Sequence, residues 1–246
     1  MDKKEYIKNK LSKLGFELSD KQAGQFVTYY EMLVEKNKVM NLTAITDFSE
    51  VVDKHFVDSA SIVMLGNNEK SKKVTALLSS GGRMLDLGTG AGFPGVPLKI
   101  LFPDLKITLM DSLNKRLIFL DEVISELGLK NIVTCHARAE EFAVKPEYRE
   151  QYDIVVSRAV ANLSLLSEFC LAFVKPGGFF VPYKAGGSEE EISSASKAVS
   201  VMGGKLVEKI KFTLPETELE RVIPFIKKVE HTPGKYPRRG KKMGVF

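Results

Sequence analysis

The spacing of apolar residues along the chain changes near residue 80. Over the first 67 residues apolar side chains recur every three or four positions, as they do in amphipathic helices. The clearest set is Phe26, Tyr29, Tyr30, Leu33 and Val34. Ser19 precedes that set and can cap its helix, Asn41-Leu42-Thr43 predicts a loop, and a third helix is expected over 48–64. The polar stretch that follows divides the chain into a helical extension, 1–67, packed on a second unit, 68–246.

From residue 84 onward, short apolar runs alternate with stretches of helical spacing. Strands are predicted at 83–87, 106–110, 131–135, 152–156, 179–181, 205–212 and 221–229. Helices are predicted over 113–127, 163–174 and 188–202, with a tight turn at Lys175-Pro176-Gly177-Gly178. Repeated strand–helix units predict an α/β fold with a mainly parallel, doubly wound sheet. The short connection between the last two strands predicts an antiparallel strand added to that sheet.

The first predicted strand runs into a loop with four glycines, and two spacings of that loop compete. Gly90-x-Gly92-x-x-Gly95 satisfies the dinucleotide fingerprint, a weak signal by itself. Asp86-x-Gly88-x-Gly90-x-Gly92 places Gly88 directly after the strand, where the chain must turn. A loop that only turns the chain is disfavoured, because four glycines cost more backbone entropy than a turn requires.

The charge of this loop favours one class of cofactor. No lysine or arginine lies between Asp86 and Lys99, so a pyrophosphate would gain little beyond backbone amides and a helix dipole. S-adenosylmethionine has no phosphate and carries a sulfonium and an ammonium, which suit an acid at the strand end. The loop therefore favours S-adenosylmethionine over a nicotinamide dinucleotide, with Asp86, Gly88 and Gly90 as contacts.

Ligands of open α/β sheets bind beyond the carboxyl ends of the strands. At the end of the second strand, Asp111 is expected to accept the ribose hydroxyls of an adenosine, or to cap the next helix; the two roles are compatible. After the third strand, the backbone of Cys135–Glu140 can meet an adenine edge, and Glu140 can also simply cap the next helix. Arg158 follows the fourth strand, either as a substrate and cofactor contact at the reactive end of the cofactor or as an ordinary surface residue.

Charge and composition bear on the possible partners, the cell compartment and a metal site. The net charge is +5, and the basic residues of the C-terminus carry no acid among them: Lys235, Arg238, Arg239, Lys241 and Lys242. Such a tail can contact RNA phosphates or be a solvated terminus. No apolar run could span a membrane, no signal peptide is visible, and the two cysteines fit a reducing cytoplasm. Three scattered histidines predict no metal site.

Several segments together resemble the bacterial 16S rRNA guanine-N7 methyltransferase family, RsmG (GidB), within the class I methyltransferases. They are Asn41–Thr43, Lys54–Phe56 with Asp58–Ser59, Asp86–Gly95, Asp111–Ser112 with Lys115–Arg116, Arg138–Glu140, Ser157–Ala161 and Lys235–Arg238. The resemblance covers nearly the whole chain. It implies S-adenosylmethionine contacts at Gly88, Phe93, Ala139, Glu140 and Arg158. The tail departs from the family after Arg238, where further prolines and basic residues are often found.

This resemblance implies methyl transfer to guanine N7, which needs no general base because N7 carries a lone pair and no proton. Arg138 and Arg158 are the candidates near the target base. Asn41, Lys54 and His55 would form one RNA-binding wall, and Lys235, Arg238 and Arg239 another. The implied partner is 16S rRNA or the small-subunit particle, with a monomer expected. The alternatives are an NAD-type oxidoreductase and a non-catalytic RNA-binding protein on the same fold.

Overall fold

A seven-stranded sheet forms the centre of the computed structural model, which describes residues 2–63, 69–240, 243–244 and 246. Its strands are β1 (Arg83–Leu87), β2 (Lys106–Asp111), β3 (Ile132–His136), β4 (Tyr152–Arg158), β5 (Val174–Ala185), β6 (Gly204–Thr213) and β7 (Glu220–Lys228). The order across the sheet is β3-β2-β1-β4-β5-β7-β6. Strands β1 to β5 pair in parallel, and β7 runs antiparallel to both of its neighbours. The predicted α/β fold with an antiparallel last strand is confirmed.

Helices cover both faces of the sheet. They are α1 (Lys3–Ser12), α2 (Asp20–Met40), α3 (Phe48–Val51), α4 (Asp58–Ala60), α5 (Glu69–Ser79), α6 (Gly95–Leu101), α7 (Asn114–Glu126), α8 (Ala139–Phe142), α9 (Leu163–Cys170), α10 (Glu189–Ser194) and α11 (Ser196–Val201). A π-helical turn, Val52–Val57, joins α3 to α4, and a 3-10 turn, Ser61–Val63, follows. Ser19 caps α2 as predicted, in a reciprocal capping box with Gln22. None of the helices in these ranges is long and apolar enough to cross a membrane.

Three predictions of secondary structure were wrong in detail. Val174 pairs with Tyr152 while Phe179 pairs with Ile154, so the predicted turn is a bulge inside β5. Helix α9 ends early because residues 172 and 173 accept backbone hydrogen bonds from residues 150 and 152 instead. The helix predicted over 188–202 is split into α10 and α11, where two serine hydroxyls bond back to carbonyls of the preceding turn. Helix α5 was not predicted.

The N-terminal helices share one buried cluster with a face of the sheet. Ile7, Phe26 and Phe56 belong to the same cluster as Met84 of β1 and Val156 of β4. The opposite face is covered by α8 to α11. The predicted boundary between 1–67 and 68–246 and the predicted helix end at Met64 lie outside the described residues. The division into two units stays a prediction.

The C-terminal segment is docked on the fold by a buried carboxylate. Glu168 of α9 is fully buried and accepts hydrogen bonds from Nε (3.0 Å) and Nη2 (2.8 Å) of Arg238. Its oxygens also accept the backbone N–H groups of Arg238 and Gly244, each at 2.7 Å. On the same segment, Lys235 and Arg239 are exposed. The predicted tail residues Lys241 and Lys242 lie outside the described residues. Arg238 therefore has a structural role, since it pairs with the buried Glu168 carboxylate.

We expect Arg238→Ala to lower the free energy of unfolding by about 3 kcal/mol, because it leaves a buried carboxylate without its cationic partner. Arg239→Ala is the matched control and should change stability by less than about 0.5 kcal/mol, since Arg239 is exposed. Urea unfolding of both variants measures the difference. Equal stabilities would show that the Glu168 pair does not hold the segment.

Candidate functional site

A cavity of about 630 Å³ opens at the carboxyl ends of the parallel strands, between the sheet and the N-terminal helices. Its walls come from the loop after β1, the ends of β2 and β4, the start of α8 and the segment around Thr43. The predicted site residues that line it are His55, Gly88, Gly90, Phe93, Asp111, Arg138, Ala139, Glu140 and Arg158. The fold therefore brings together residues from five separate parts of the sequence.

The glycines of the loop after β1 play two different structural roles. Gly88 and Gly90 line the cavity, with φ of 72° and 60°, and a Cβ added at Gly90 would meet no atom within 4 Å. A Cβ at Gly92 would lie 2.7 Å from the Tyr29 hydroxyl, and one at Gly95 would lie 2.8 Å from Oδ2 of Asp86. Gly90 leaves room for a ligand. Gly88, Gly92 and Gly95 instead allow protein groups to pack closely, since a Cβ at Gly88 would lie 2.5 Å from Cγ2 of Val160.

Asp86 lies beneath this loop and does not line the cavity. Its Oδ2 accepts hydrogen bonds from the Thr89 hydroxyl (2.7 Å) and the Gly95 N–H (2.8 Å), so it holds both ends of the loop. Its Oδ1 has no hydrogen-bond partner among the described residues. Complete burial raises the pKa of Asp86 to about 6. The direct cofactor contact expected of Asp86 stays a prediction, and the contacts present position the loop.

Asp111 connects the loop to the helix that follows β2. Its Oδ2 accepts the Gly90 N–H (3.0 Å) and Nη1 of Arg116 (3.3 Å), and its Oδ1 accepts the Leu113 N–H (2.9 Å). The side chain is nearly buried yet lines the cavity. The two alternatives raised by the sequence are therefore compatible in space, since contacts at the start of α7 leave the carboxylate at the cavity wall.

Tyr29 of α2 fixes the loop from the side of the N-terminal helices. Its hydroxyl donates a 2.5 Å hydrogen bond to the Ala91 carbonyl, and its ring packs 5.4 Å from that of Phe93. Tyr29 is fully buried, and burial raises the pKa of its hydroxyl well above the ordinary value, so it remains a donor. The helical spacing assigned Tyr29 only to a core; nothing local in the sequence marked its contact with a loop 62 positions away.

Arg158 is fixed where β4 ends. Its Nη1 donates to the Lys54 carbonyl (3.1 Å) and to Oδ2 of Asp58 (2.9 Å), and its guanidinium lies 5.0 Å from the Phe93 ring centroid. The cation–π contact and the carboxylate hold its planar group against the aromatic wall of the cavity. Its position and orientation therefore depend on the N-terminal helices.

His55 lies against the same aromatic ring. Its imidazole stacks on Phe93 with centroids 4.5 Å apart, and its Nε2 is 3.0 Å from the Thr43 hydroxyl. Burial, with Arg158 nearby, lowers the pKa of His55 to about 4. The imidazole is therefore neutral at pH 7, so His55 contributes a polar aromatic surface without charge.

The other predicted residues lie apart from the cavity. Asn41 is exposed at the end of α2 with φ of 48°, while its neighbours Leu42 and Thr43 line the wall. Lys54 pairs with Glu50 and lines a second cavity instead. The predicted tail residues Lys235, Arg238 and Arg239 line neither cavity. In the described ranges, no three His, Cys, Asp or Glu side chains are placed to hold a metal ion.

Some residues of the two cavities were assigned no role from the sequence. Met110 and Val160 line the first cavity, and Asp58, Lys184 and Arg221 line the second. Asp58 and Val160 lie inside segments that carried the family resemblance, which was the available signal. Arg221 lies near the start of an antiparallel strand. A search limited to the carboxyl ends of strands does not find it.

We expect Tyr29→Phe to destabilise the protein by about 1 to 2 kcal/mol, because it leaves the Ala91 carbonyl without its buried donor. Tyr30→Phe removes a hydroxyl bonded to the Thr46 carbonyl at an exposed position and should cost less than about 0.5 kcal/mol. Thermal unfolding of the pair tests the contact. Indistinguishable values would mean that Tyr29 does not hold the loop.

Comparison with known proteins shows the family to which this chain belongs. The family profile described as GidB, rRNA small subunit methyltransferase G, matches residues 22–223. The chain is 53% identical over 232 residues to the ribosomal RNA small subunit methyltransferase G of Lachnoclostridium phytofermentans, covering 94% of this chain and 92% of the relative. It is 47% identical over 239 residues to the protein of that name from Alkaliphilus metalliredigens, covering 97% and 96%.

Among solved structures, the fold is similar to a 16S rRNA (adenine(1408)-N(1))-methyltransferase with its cosubstrate SAM, from Catenulisporales acidiphilia. The TM-score is 0.51 at 15% identity, over 67% of this chain and 93% of the other. That similarity supports the class I methyltransferase fold and nothing finer. The sequence matches reach further, since the family profile and both relatives extend over most of the chain. The chain belongs to the rRNA small subunit methyltransferase G family.

Proposed function

We propose that this protein transfers a methyl group from S-adenosylmethionine to N7 of a guanine in 16S rRNA. The observation that carries the proposal is the cavity floor, where Gly90 faces open space beside the Asp111 carboxylate. Membership of the family supports the substrate class. We further propose that the protein acts as a monomer in the cytoplasm, on 16S rRNA or on the small-subunit particle; its unpaired cysteines are consistent with a reducing compartment.

The residues of the first cavity fit S-adenosylmethionine. Space above Gly90 admits a ligand that would collide with any side chain there, and Asp111 places a carboxylate beside it for ribose hydroxyls. Met110, Ala139 and Glu140 line the wall where an adenine would lie, and Phe93 and Arg158 line the opposite end. Asp86 would act from beneath the loop, as a buried acid that compensates positive charge. These assignments support the proposal as a set.

Bound S-adenosylmethionine supplies an electrophilic methyl group on a positively charged sulfur. A guanine N7 already exposes its lone pair, so the protein need not remove a proton. Catalysis can then come from alignment of the reacting atoms and from exclusion of water. The neutral imidazole of His55 and the fixed guanidinium of Arg158 suit that task, because both form a rigid wall beside Phe93.

The two alternatives are less well supported. A dinucleotide site would use Gly90, Gly92 and Gly95, but the last two face Tyr29 and Asp86 and do not line the cavity. A non-catalytic RNA-binding protein would have no need for a cavity with open space above Gly90. The geometry therefore favours the methyltransferase proposal over both.

A direct test uses the purified protein, tritiated S-adenosylmethionine and 16S rRNA from cells that lack the protein. We expect one tritiated methyl group per RNA, recovered as 7-methylguanosine after digestion to nucleosides. The same assay on assembled small-subunit particles identifies the preferred substrate. Label in another nucleoside, or none with either substrate, would contradict the proposed function.

We expect Gly90→Ala to weaken S-adenosylmethionine binding by at least about tenfold, because its methyl group would occupy ligand space. Gly128→Ala is a matched control: Gly128 also has φ of 60° and open space around its Cβ direction, but it ends α7 away from the cavity. Both variants should lose about 1 kcal/mol of stability from the backbone strain. Calorimetric titration measures the two affinities, and equal affinities would show that the ligand binds elsewhere.

A further inference from the structure

A second cavity, of about 440 Å³, adjoins the first one. The two share the wall formed by His55, Arg158 and Ala159. The second cavity is also lined by Lys184 and Ala185 at the end of β5 and by Arg221 at the start of β7. A molecule in the second cavity would therefore lie beside a ligand of the first cavity at this shared edge.

One carboxylate lies between two guanidinium groups in this wall. Oδ2 of Asp58 accepts a hydrogen bond from Nη1 of Arg158 at 2.9 Å, and Oδ1 accepts one from Nε of Arg221 at 2.7 Å. The side chains of Asp58, Arg158 and Arg221 are 6%, 13% and 19% exposed. Two positive charges thus share one negative charge where water is scarce. Such a group attracts a further anion, because unpaired charge away from water is costly.

One nitrogen of the Arg221 guanidinium donates to neither of its present partners. Its Nε bonds to Asp58 and its Nη1 to the Glu220 carbonyl, while Nη2 has no partner within the described ranges. Lys184, by contrast, is paired with Glu191 at 2.7 Å and with the Ala161 carbonyl at 2.9 Å. Arg221 is therefore the cation best placed to bind an anionic group in the second cavity.

We propose that the second cavity receives the target nucleotide, with the base at the wall shared through Arg158 and a phosphate of the same strand at Arg221. Methyl transfer requires contact between the guanine N7 and the methyl group, so the base lies at the edge where the two cavities share residues, and its phosphate extends toward Arg221. Arginine forks bind phosphate and purine oxygens with planar geometry. Asp58 is then a positioning residue that holds both guanidinium groups. The inference rests on the proposed function.

The test measures methylation of 16S rRNA under single-turnover conditions at several salt concentrations. Arg221→Gln should raise the half-saturating RNA concentration about three- to tenfold and reduce the salt slope by about 0.7, as expected for one lost phosphate contact. Arg221→Lys keeps the charge and should retain the slope. Affinity for S-adenosylmethionine, measured separately, should stay within about twofold of wild type, since Arg221 does not line the first cavity.

Lys227→Gln is the matched control, on the same strand but at the opposite end, where it pairs with Phe179 at the start of the parallel part of β5. Lys227→Gln should leave the half-saturating RNA concentration and the salt slope unchanged. If Arg221→Gln loses the fold, Ala185→Glu places a negative charge at an exposed position of the same cavity and should weaken RNA use, with Val229→Glu as its control.

The outcomes distinguish failure of the proposed function from failure of the proposed nucleotide site. A wild-type protein that methylates no RNA would overturn the proposed function. If the wild type is active but Arg221→Gln behaves like its control Lys227→Gln, only the proposed nucleotide site is overturned. If Arg221→Gln does not fold, the same conclusion follows when Ala185→Glu behaves like its control Val229→Glu. Loss of S-adenosylmethionine binding in a folded Arg221→Gln would also overturn it, because the two cavities would then not be separate sites.

Discussion

The path of the loop after β1 depends on a carboxylate buried beneath it. Asp86 accepts hydrogen bonds from Thr89 and Gly95, at the two ends of the loop. A segment with so many glycines is costly to order, and hydrogen bonds to a buried acid offset part of that cost. Tyr29 completes the restraint from the other side by its bond to the Ala91 carbonyl. The shape of the first cavity follows from this double restraint.

The N-terminal helices are consequently part of the site as well as part of the core. Thr43 lies in the loop after α2, while His55 and Asp58 lie on the helical turns that follow, and each contacts a group at the cavity walls. His55 lies on the π-helical turn Val52–Val57. Such wide turns occur frequently at functional sites, because the extra residue per turn redirects side chains that a regular helix would place elsewhere. Here Arg158 and Phe93 meet the side chains of this turn.

Buried carboxylates also decide which basic residues are available to a nucleic acid. Glu168 occupies Arg238, Asp111 contacts Arg116, and Asp58 is shared between Arg158 and Arg221. A basic residue that neutralises a single buried acid has little charge left to offer, whereas two arginines on one aspartate retain a net positive charge. A count of basic residues in the sequence does not make this distinction, because it treats the tail and the second cavity alike.

The sequence by itself determined the alternation of strands and helices, the bounds of β1, the antiparallel last strand and several residues of the first cavity, among them Gly88, Gly90 and Asp111. These features follow from local spacing: apolar period, glycine position and the residue at each strand end. Only the tertiary structure decided that Gly92 and Gly95 face protein, that Asp86 lies below the loop, and that Arg221 joins Asp58. The last pair is separated by 163 positions. A contact over that distance arises because β7 runs antiparallel, which brings Arg221 near its start to the edge where the parallel strands end. Local spacing carries no information about such a contact.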